Sequence, residues 1–138
     1  EHSELADTAV RQLRRSGALA AARATIEGAS PHPSEIWSAA AKLGWHGLAV
    51  DEDYGGSGAG LSELAVVLEM MGRELCPGPF LPTAALAATL SACACESLQV
   101  RYLTRLAAGE TVGAVSVSEG VRLDADGTAT GNFPAVLA

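Results

Sequence analysis

The chain reads as a mainly α fold that opens into β structure near its end, and three observations predict this. Apolar residues recur at three- and four-residue spacing from Leu5 to Ala107, the period of amphipathic helices. The period drops to two at Val112–Ser118, the period of a strand. Between helical stretches lie Gly- and Pro-rich breaks at Gly28–Pro33, Asp51–Gly60 and Cys76–Pro79, which stop helices.

The elements follow in order. Leu5, Ala9, Leu13 and then Leu19, Ala22, Ile26 predict one helix over about 3–27, with a nick at Gly17. A second helix follows Ser34 and carries Ile36, Trp37, Ala40 and Leu43, with Gly44 placed for a left-handed cap. Trp45–Val50 reads as a buried connector, and the glycines of Asp51–Gly60 as a loop. Ser62 is the expected N-cap of a third helix that runs to about Leu75, with Leu64, Val67, Leu68 and Met71 on one face. A fourth helix, about Thr83–Cys95, is small and apolar all round, so it is expected to be buried on most sides. A fifth begins near Ser97, carries Val100, Leu103, Leu106 and Ala107, and closes at Gly109. After the strand at 112–118, Val121–Leu123 and Thr128–Thr130 flank Asp-Ala-Asp-Gly as a hairpin. The expected division is a helical domain over 1–110 and the start of a β-domain over 111–138. Strands with open edges are unstable alone, so the natural protein is expected to be longer, or a partner to complete the sheet.

Composition excludes several functions. The chain has 138 residues, and 9 Lys+Arg against 16 Asp+Glu leave a net charge of −7. Such a balance disfavours nucleic acid and anionic membrane surfaces, both of which require clustered cations. Hydrophobic residues at 49% against 18% charged exclude disorder. No apolar run reaches the ~20 residues of a membrane span, and no signal peptide is expected. A mean hydropathy of +0.22 implies an apolar surface that meets another chain or domain. Three cysteines, Cys76, Cys93 and Cys95, make neither a disulfide framework nor a zinc quartet; they are expected as buried thiols in a reducing cytoplasm.

Motif spacing offers no catalytic group. Gly56-Ser57-Gly58 lacks the third glycine of a dinucleotide fingerprint, because position 61 is Leu61. A P-loop needs a lysine that is absent here, so a tight loop is expected. Asp124-Ala125-Asp126-Gly127 begins like a calcium loop but has Thr128 and Ala135 at ligand positions five and twelve. His2, His32 and His46 stand apart, with no nucleophile elbow. Glu69 and Glu74 could act as acid or base only if buried; ion pairing, for instance with Arg73, is the expectation. Ser116 and Ser118 share one face of the predicted strand and by spacing alone are an ordinary strand end.

The order of pieces resembles the N-terminal half of the acyl-CoA dehydrogenases over about Ile36–Glu119. Leu43-Gly44-Trp45-His46-Gly47-Leu48 is similar to that family's helix ending in a Leu-Gly turn. Asp51-Glu52-Asp53-Tyr54-Gly55-Gly56-Ser57-Gly58 resembles its P-E-E-Y-G-G-x-G loop, with Asp51 in place of Pro. Leu64–Arg73, with Glu69, resembles its next helix. Arg101-Tyr102-Leu103 through Ala108-Gly109-Glu110 resembles R-Y-L-P-x-L-A-x-G-E, and Val115–Glu119 falls where the family has A-L-T-E-P. The resemblance implies flavin chemistry on an acyl-CoA thioester: a Glu base takes the α proton and FAD takes the β hydride. By position, Val117 and Ser118 would be the flavin-side contacts, with the Ser118 hydroxyl in place of the usual Thr.

The departures are as informative. Where the family continues E-P-x-A-G-S-D, this chain has Glu119-Gly120-Val121-Arg122-Leu123, without the segment that meets cofactor or CoA phosphates. Gly131-Asn132-Phe133-Pro134-Ala135-Val136 stands where the family has its flavin-stacking G-x-K-x-[WF]-I-T-N. The family's catalytic Glu belongs to a later domain, so no catalytic residue and no metal site is assigned here, and this chain alone is expected to be inactive. The pattern is similar to heteromeric acyl-CoA dehydrogenases of actinobacterial steroid side-chain degradation, in which one subunit has lost part of its flavin site. Two expectations stand. One is a cytoplasmic oxidoreductase part, acting with FAD on a fatty or steroid side-chain acyl-CoA within a homo- or hetero-oligomer. The other is a non-catalytic partner that stabilises an active subunit.

Overall fold

Charge placed at helix ends sets how the first and fourth helices meet in the computed structural model, which describes residues 2–28, 34–116 and 121–132. Helix α1 (His2–Arg15) has Glu4 in its first turn and Arg14 and Arg15 in its last, complementing the helix dipole. It packs on α4 (Leu61–Arg73). His2 Nε2 lies 3.0 Å from Glu63 Oε1, and Arg14 grips the Glu74 carboxylate with bonds of 2.8–3.1 Å. Start meets start and end meets end, so the two helices run parallel. Ala9 and Leu13 of α1 and Val67, Met70 and Met71 of α4 are buried between them and α3 (Ser34–Lys42), which adds Ile36 and Ala40.

The nick expected at Gly17 is a full break. Gly17 has φ 70°, in the left-handed region, and α2 (Ala18–Ile26) starts afresh beyond it. This changes the face expected for the second half. Ala18 is buried, whereas Leu19 is 48% and Ile26 86% exposed. A left-handed residue re-aims the following helix, so the periodicity of α1 does not carry through it.

Gly44 takes the left-handed conformation expected of it, with φ 71°. The connector is a 3₁₀ turn at Trp45–Gly47 ending in fully buried Val50. Ser62, however, is not the N-cap. Helix α4 begins at Leu61 with Gly60 in the cap position and no side-chain cap bond; Gly60 N–H instead donates to Leu48 O. The helix closes with Cys76 N–H donating to Met71 O and Leu75 N–H to Gly72 O, a Schellman cap. Leu75 holds the left-handed position usually given to glycine, at φ 52°.

Helix α5 (Phe80–Cys93) departs most from expectation. It is apolar on every side, yet only Phe80, Thr83 and Ala87 are fully buried, and Leu81 is 64% exposed. Its covered side meets α6 (Glu96–Ala107) and the 3₁₀ turn. Along Leu81, Ala85 and Thr89, one i, i+4, i+8 face, the helix remains exposed among the described residues. A second core joins Ala87 to Val50, Leu103, Leu106 and Ala107; Val100, expected on that face, is 57% exposed. Gly109 closes α6 with φ 71°, and Glu110 N–H donates to Arg105 O.

The strand expected at 112–118 is not in a ladder over its described part. Residues 111–116 belong to no helix or ladder among the described residues, and the backbone of Gly113 within them is met by a helix side chain instead. The hairpin does form. β1 (Val121–Leu123) pairs antiparallel with β2 (Ala129–Gly131), with Arg122 opposite Thr130. Gly127 N–H donates to Asp124 O at 2.9 Å, and Gly127 has φ 83°. Every residue of both strands is exposed.

Candidate functional site

The glycine loop is stitched rather than open. Gly56 N–H donates to Asp51 O, Ser57 N–H to Gly47 O, Gly58 N–H to Val50 O and Gly60 N–H to Leu48 O, all at 2.9–3.1 Å. Asp51 accepts from Asp53 N–H through Oδ1 at 2.9 Å and so caps the short turn Glu52–Tyr54. A phosphate cradle needs free N–H groups, and these are spent. Beside the loop lies an open groove of about 490 Å³ lined by Asp51, Asp53, Tyr54, Ser91 and Gln99. Its two aspartates oppose an anion. Tyr54 donates to Gln99 Oε1 at 3.0 Å, and Gln99 Nε2 donates to the Leu90 and Ser91 carbonyls at 3.1 Å. That latch ties the loop to both α5 and α6.

Three rings form a clamp at the end of α6. Trp37 Nε1–H donates to Gly109 O at 2.6 Å. The Trp37 ring centroid is 4.1 Å from His46 and 4.9 Å from Phe80, and the His46 and Phe80 rings stack at 5.5 Å. His46 Nε2 lies 3.2 Å from Trp37 O; since a carbonyl only accepts, the proton sits on Nε2. A Cβ on Gly109 would lie 2.7 Å from His46 Cδ2, so only glycine lets the chain pass the imidazole this closely. Below the clamp, a cleft between Trp45, Leu64, Met71 and Phe80 holds about 10 Å³, no more than one water.

Burial pushes the His46 pKa below its ordinary value, against a weaker opposing pull from the bond to Trp37. The unfolded chain then binds a proton near pH 6.5 that the folded chain refuses. Stability rises with pH wherever the unfolded state holds more protons. The full-length protein is therefore expected to lose stability as pH falls below about 6.5, before any carboxylate titrates. His46→Gln should flatten this window in urea unfolding between neutral and mildly acid pH. An unchanged slope would show that His46 does not carry it. The Glu63 and Glu74 carboxylates, held down by His2 and Arg14, act lower, with stability lost as pH falls through their depressed values.

Just past the clamp, Thr83 of α5 meets Gly113. The hydroxyl accepts from Gly113 N–H at 3.2 Å and lies 3.3 Å from Gly113 O, to which it donates. Sequence spacing signalled neither this pair nor the ring clamp, since both join residues separated by thirty positions or more.

The other candidates fall apart as sites. Val117 and Ser118 lie outside the described residues. Glu69 pairs with Arg73 at 2.8 Å, one helical turn on, while Glu74 takes Arg14 rather than Arg73; neither is a buried acid. Asp126 accepts from Thr128 N–H and serves the hairpin turn. No group of three metal-ligating side chains occurs among the described residues. The cysteines are not uniformly buried. Cys76 is half-buried, its pKa raised to about 11 by burial, but Cys93 and Cys95 are exposed where the chain turns between α5 and α6. The Cys95 pKa is lowered, first by its bond to Ser97. No described helix is long and apolar enough to cross a membrane.

These residues do not by themselves fit a flavin nucleotide. The loop amides are occupied, the adjacent groove is acidic, and no lysine or arginine lines it. What they build is a fixed exit from the helical unit.

Comparison with known proteins gives this arrangement relatives. Residues 1–110 match the family model of the acyl-CoA dehydrogenase N-terminal domain. The chain is 29% identical over 116 residues to acyl-CoA dehydrogenase IpdE2 of Mycobacterium tuberculosis, covering 83% of this chain and 36% of that protein. It is 32% identical over 117 residues to IpdE2 of Mycolicibacterium smegmatis, with the same two shares. In shape it is similar to a chain of a variant of the Tcur3481-Tcur3483 steroid ACAD, with a TM-score of 0.76 and 28% identity over 86% of this chain and 33% of that one. The chain thus spans about a third of the length of these relatives.

Proposed function

We propose, from the premise that this chain belongs to the acyl-CoA dehydrogenase family, that it is the helical and initial β part of a cytoplasmic FAD-dependent enzyme. The reaction is α,β-dehydrogenation of an acyl-CoA thioester of the steroid side-chain class. The division is a helical domain over 1–110 and the start of a β-domain over 111–138. Val117 and Ser118 are its flavin-side positions. The Glu base and the phosphate grip on the cofactor come from outside the described residues, either later in a longer chain or from a second subunit. The observation that carries this is the shape match over 86% of the chain to a protein whose name reads steroid ACAD and joins two designations. The exposed apolar residues Leu81 and Ala85 of α5 support it, since a finished assembly would cover such a surface.

In this role the chain's own residues orient and exclude. The two cores fix α5 and α6, the ring clamp holds Gly109, and the acidic groove turns CoA phosphates away from the glycine loop.

The stitched loop favours a second reading, a stabilising partner whose own flavin site is incomplete. One experiment separates the two. The native assembly is purified with the full-length chain, its visible spectrum is recorded, and Ser118→Ala is assayed with an acyl-CoA. The catalytic reading expects oxidised-flavin absorption that bleaches with substrate, and a Ser118→Ala turnover lower by roughly tenfold or more. A yellow, active assembly indifferent to Ser118→Ala would leave the partner reading. An assembly without flavin would end the dehydrogenase reading.

A further inference from the structure

Thr83 stands in the first turn of α5 and is 3% exposed. Its hydroxyl meets both backbone groups of one residue, Gly113, at 3.2 and 3.3 Å. In an antiparallel ladder a hydrogen-bonded residue receives the same two bonds from the strand opposite. Here one helix side chain supplies both. Gly113 is equally constrained on its other side, where a Cβ would lie 2.2 Å from Leu86 Cδ2. Four residues upstream, Gly109 O is held by Trp37 Nε1–H at 2.6 Å. The chain is therefore anchored at two points as it leaves the helical unit, and the second anchor holds both backbone groups of a single residue.

That hold sets a register. In an extended segment, a slip of one residue sends every side chain to the opposite face. Gly113 is the one residue at this point that Leu86 admits without moving, since Val112 and Ala114 on either side carry a Cβ. Thr83 thus holds the backbone of one position, and a neighbour's Cβ in that place would have to push the end of the Leu86 side chain aside. Residues 117 and 118 follow within five positions, a reach of at most about 18 Å at ~3.3–3.6 Å per residue.

We propose that Thr83 is a positioning residue of the dehydrogenase, fixing through Gly113 the register in which residues 113–116 lead to the flavin-side positions. This rests on the proposed dehydrogenase reading. A misplacement of about 1 Å at a reacting centre is worth up to about a hundredfold in rate, so losing the register device should act on turnover more than on substrate binding.

The test uses the full-length chain in its native assembly. In the wild type, hydrogen exchange should find the Gly113 amide protected like the α6 helix amides. Thr83→Val keeps the shape and removes both bonds. It should speed exchange across 113–116 and lower kcat by roughly tenfold, while KM for the acyl-CoA changes less than threefold. Thr83→Ser, which keeps the hydroxyl, should restore both readouts. Turnover and exchange unchanged in Thr83→Val would overturn the proposal, as would equal losses in Thr83→Ser. If Thr83→Val does not assemble, the wild-type exchange and the serine variant decide by the same criteria. A rapidly exchanging Gly113 in a yellow, active assembly overturns this proposal alone. A protected Gly113 in an assembly without flavin or turnover overturns the dehydrogenase reading, and the positioning role with it.

Discussion

Gly56→Ala is expected to destabilise the full-length protein by about 3 kcal/mol or more, near the upper end for one added methyl. The new Cβ would lie 1.9 Å from Val50 O and 2.4 Å from its carbonyl carbon, with Gly47 O at 2.7 Å. These are backbone atoms, so no rotamer change can relieve the clash. They are also the acceptors of the loop stitches, since Val50 O takes Gly58 N–H and Gly47 O takes Ser57 N–H. Moving them apart breaks the bonds that hold the loop, and Val50, fully buried in the second core, must shift too. Thermal melting followed by circular dichroism should fall by roughly 6 °C or more, at ~2–4 °C per kcal/mol for a longer chain. Gly72→Ala is the control. It lies within α4, where an added methyl would meet nothing within 4 Å, and should gain about 0.5–1 kcal/mol from helix propensity. Equal melting of the Gly56 variant and the wild type would mean that the loop is not stitched as described.

Trp37→Ala should be the next most damaging change, at about 3 kcal/mol for truncation of a large aromatic. The indole touches both His46 and Phe80 and donates to Gly109 O. Removing it leaves the end of α6 without its cross-brace and opens a void in the first core. Trp37→Phe separates these losses. The ring remains and the N–H goes, so a smaller loss of about 1 kcal/mol is expected. Urea unfolding of the two variants measures the difference. A phenylalanine variant as unstable as the alanine one would assign the clamp to the hydrogen bond rather than to packing.

The helices were legible because their signals are local. Periodicity located α3, α4 and α6, and glycines at 44 and 109 marked ends that do adopt left-handed backbones. The Asp-Gly turn located the hairpin. Local signals failed where a distant residue decides. Gly17 breaks the phase, so the Leu19 and Ile26 pattern no longer reports the core face. An apolar α5 implied burial, but composition cannot say which other element covers it. Alternation at 112–118 suggested a ladder, yet both backbone groups of Gly113 are taken by Thr83 from a helix. Spacing predicted a tight loop at the glycines, while its stitching to residues 47–50 depends on how the chain doubles back. Val117 and Ser118 came from family position alone, and no described contact bears on them.

The parallel pairing of α1 with α4 has a consequence during synthesis. Arg14 and its partner Glu74 are separated by 60 positions. A ribosome adding ~5–20 residues per second needs about 3–12 s to cover that distance. Through that interval α1, an amphipathic helix of 14 residues, close to the shortest length that holds together in water, has only part of its final packing. Its buried stripe, Ala9 and Leu13, can meet Ala18, Ile36 and Ala40 earlier, but lacks Val67, Met70 and Met71 until α4 emerges. A segment made early therefore completes its packing late, and until then its apolar stripe is a part of the nascent chain that a chaperone could hold.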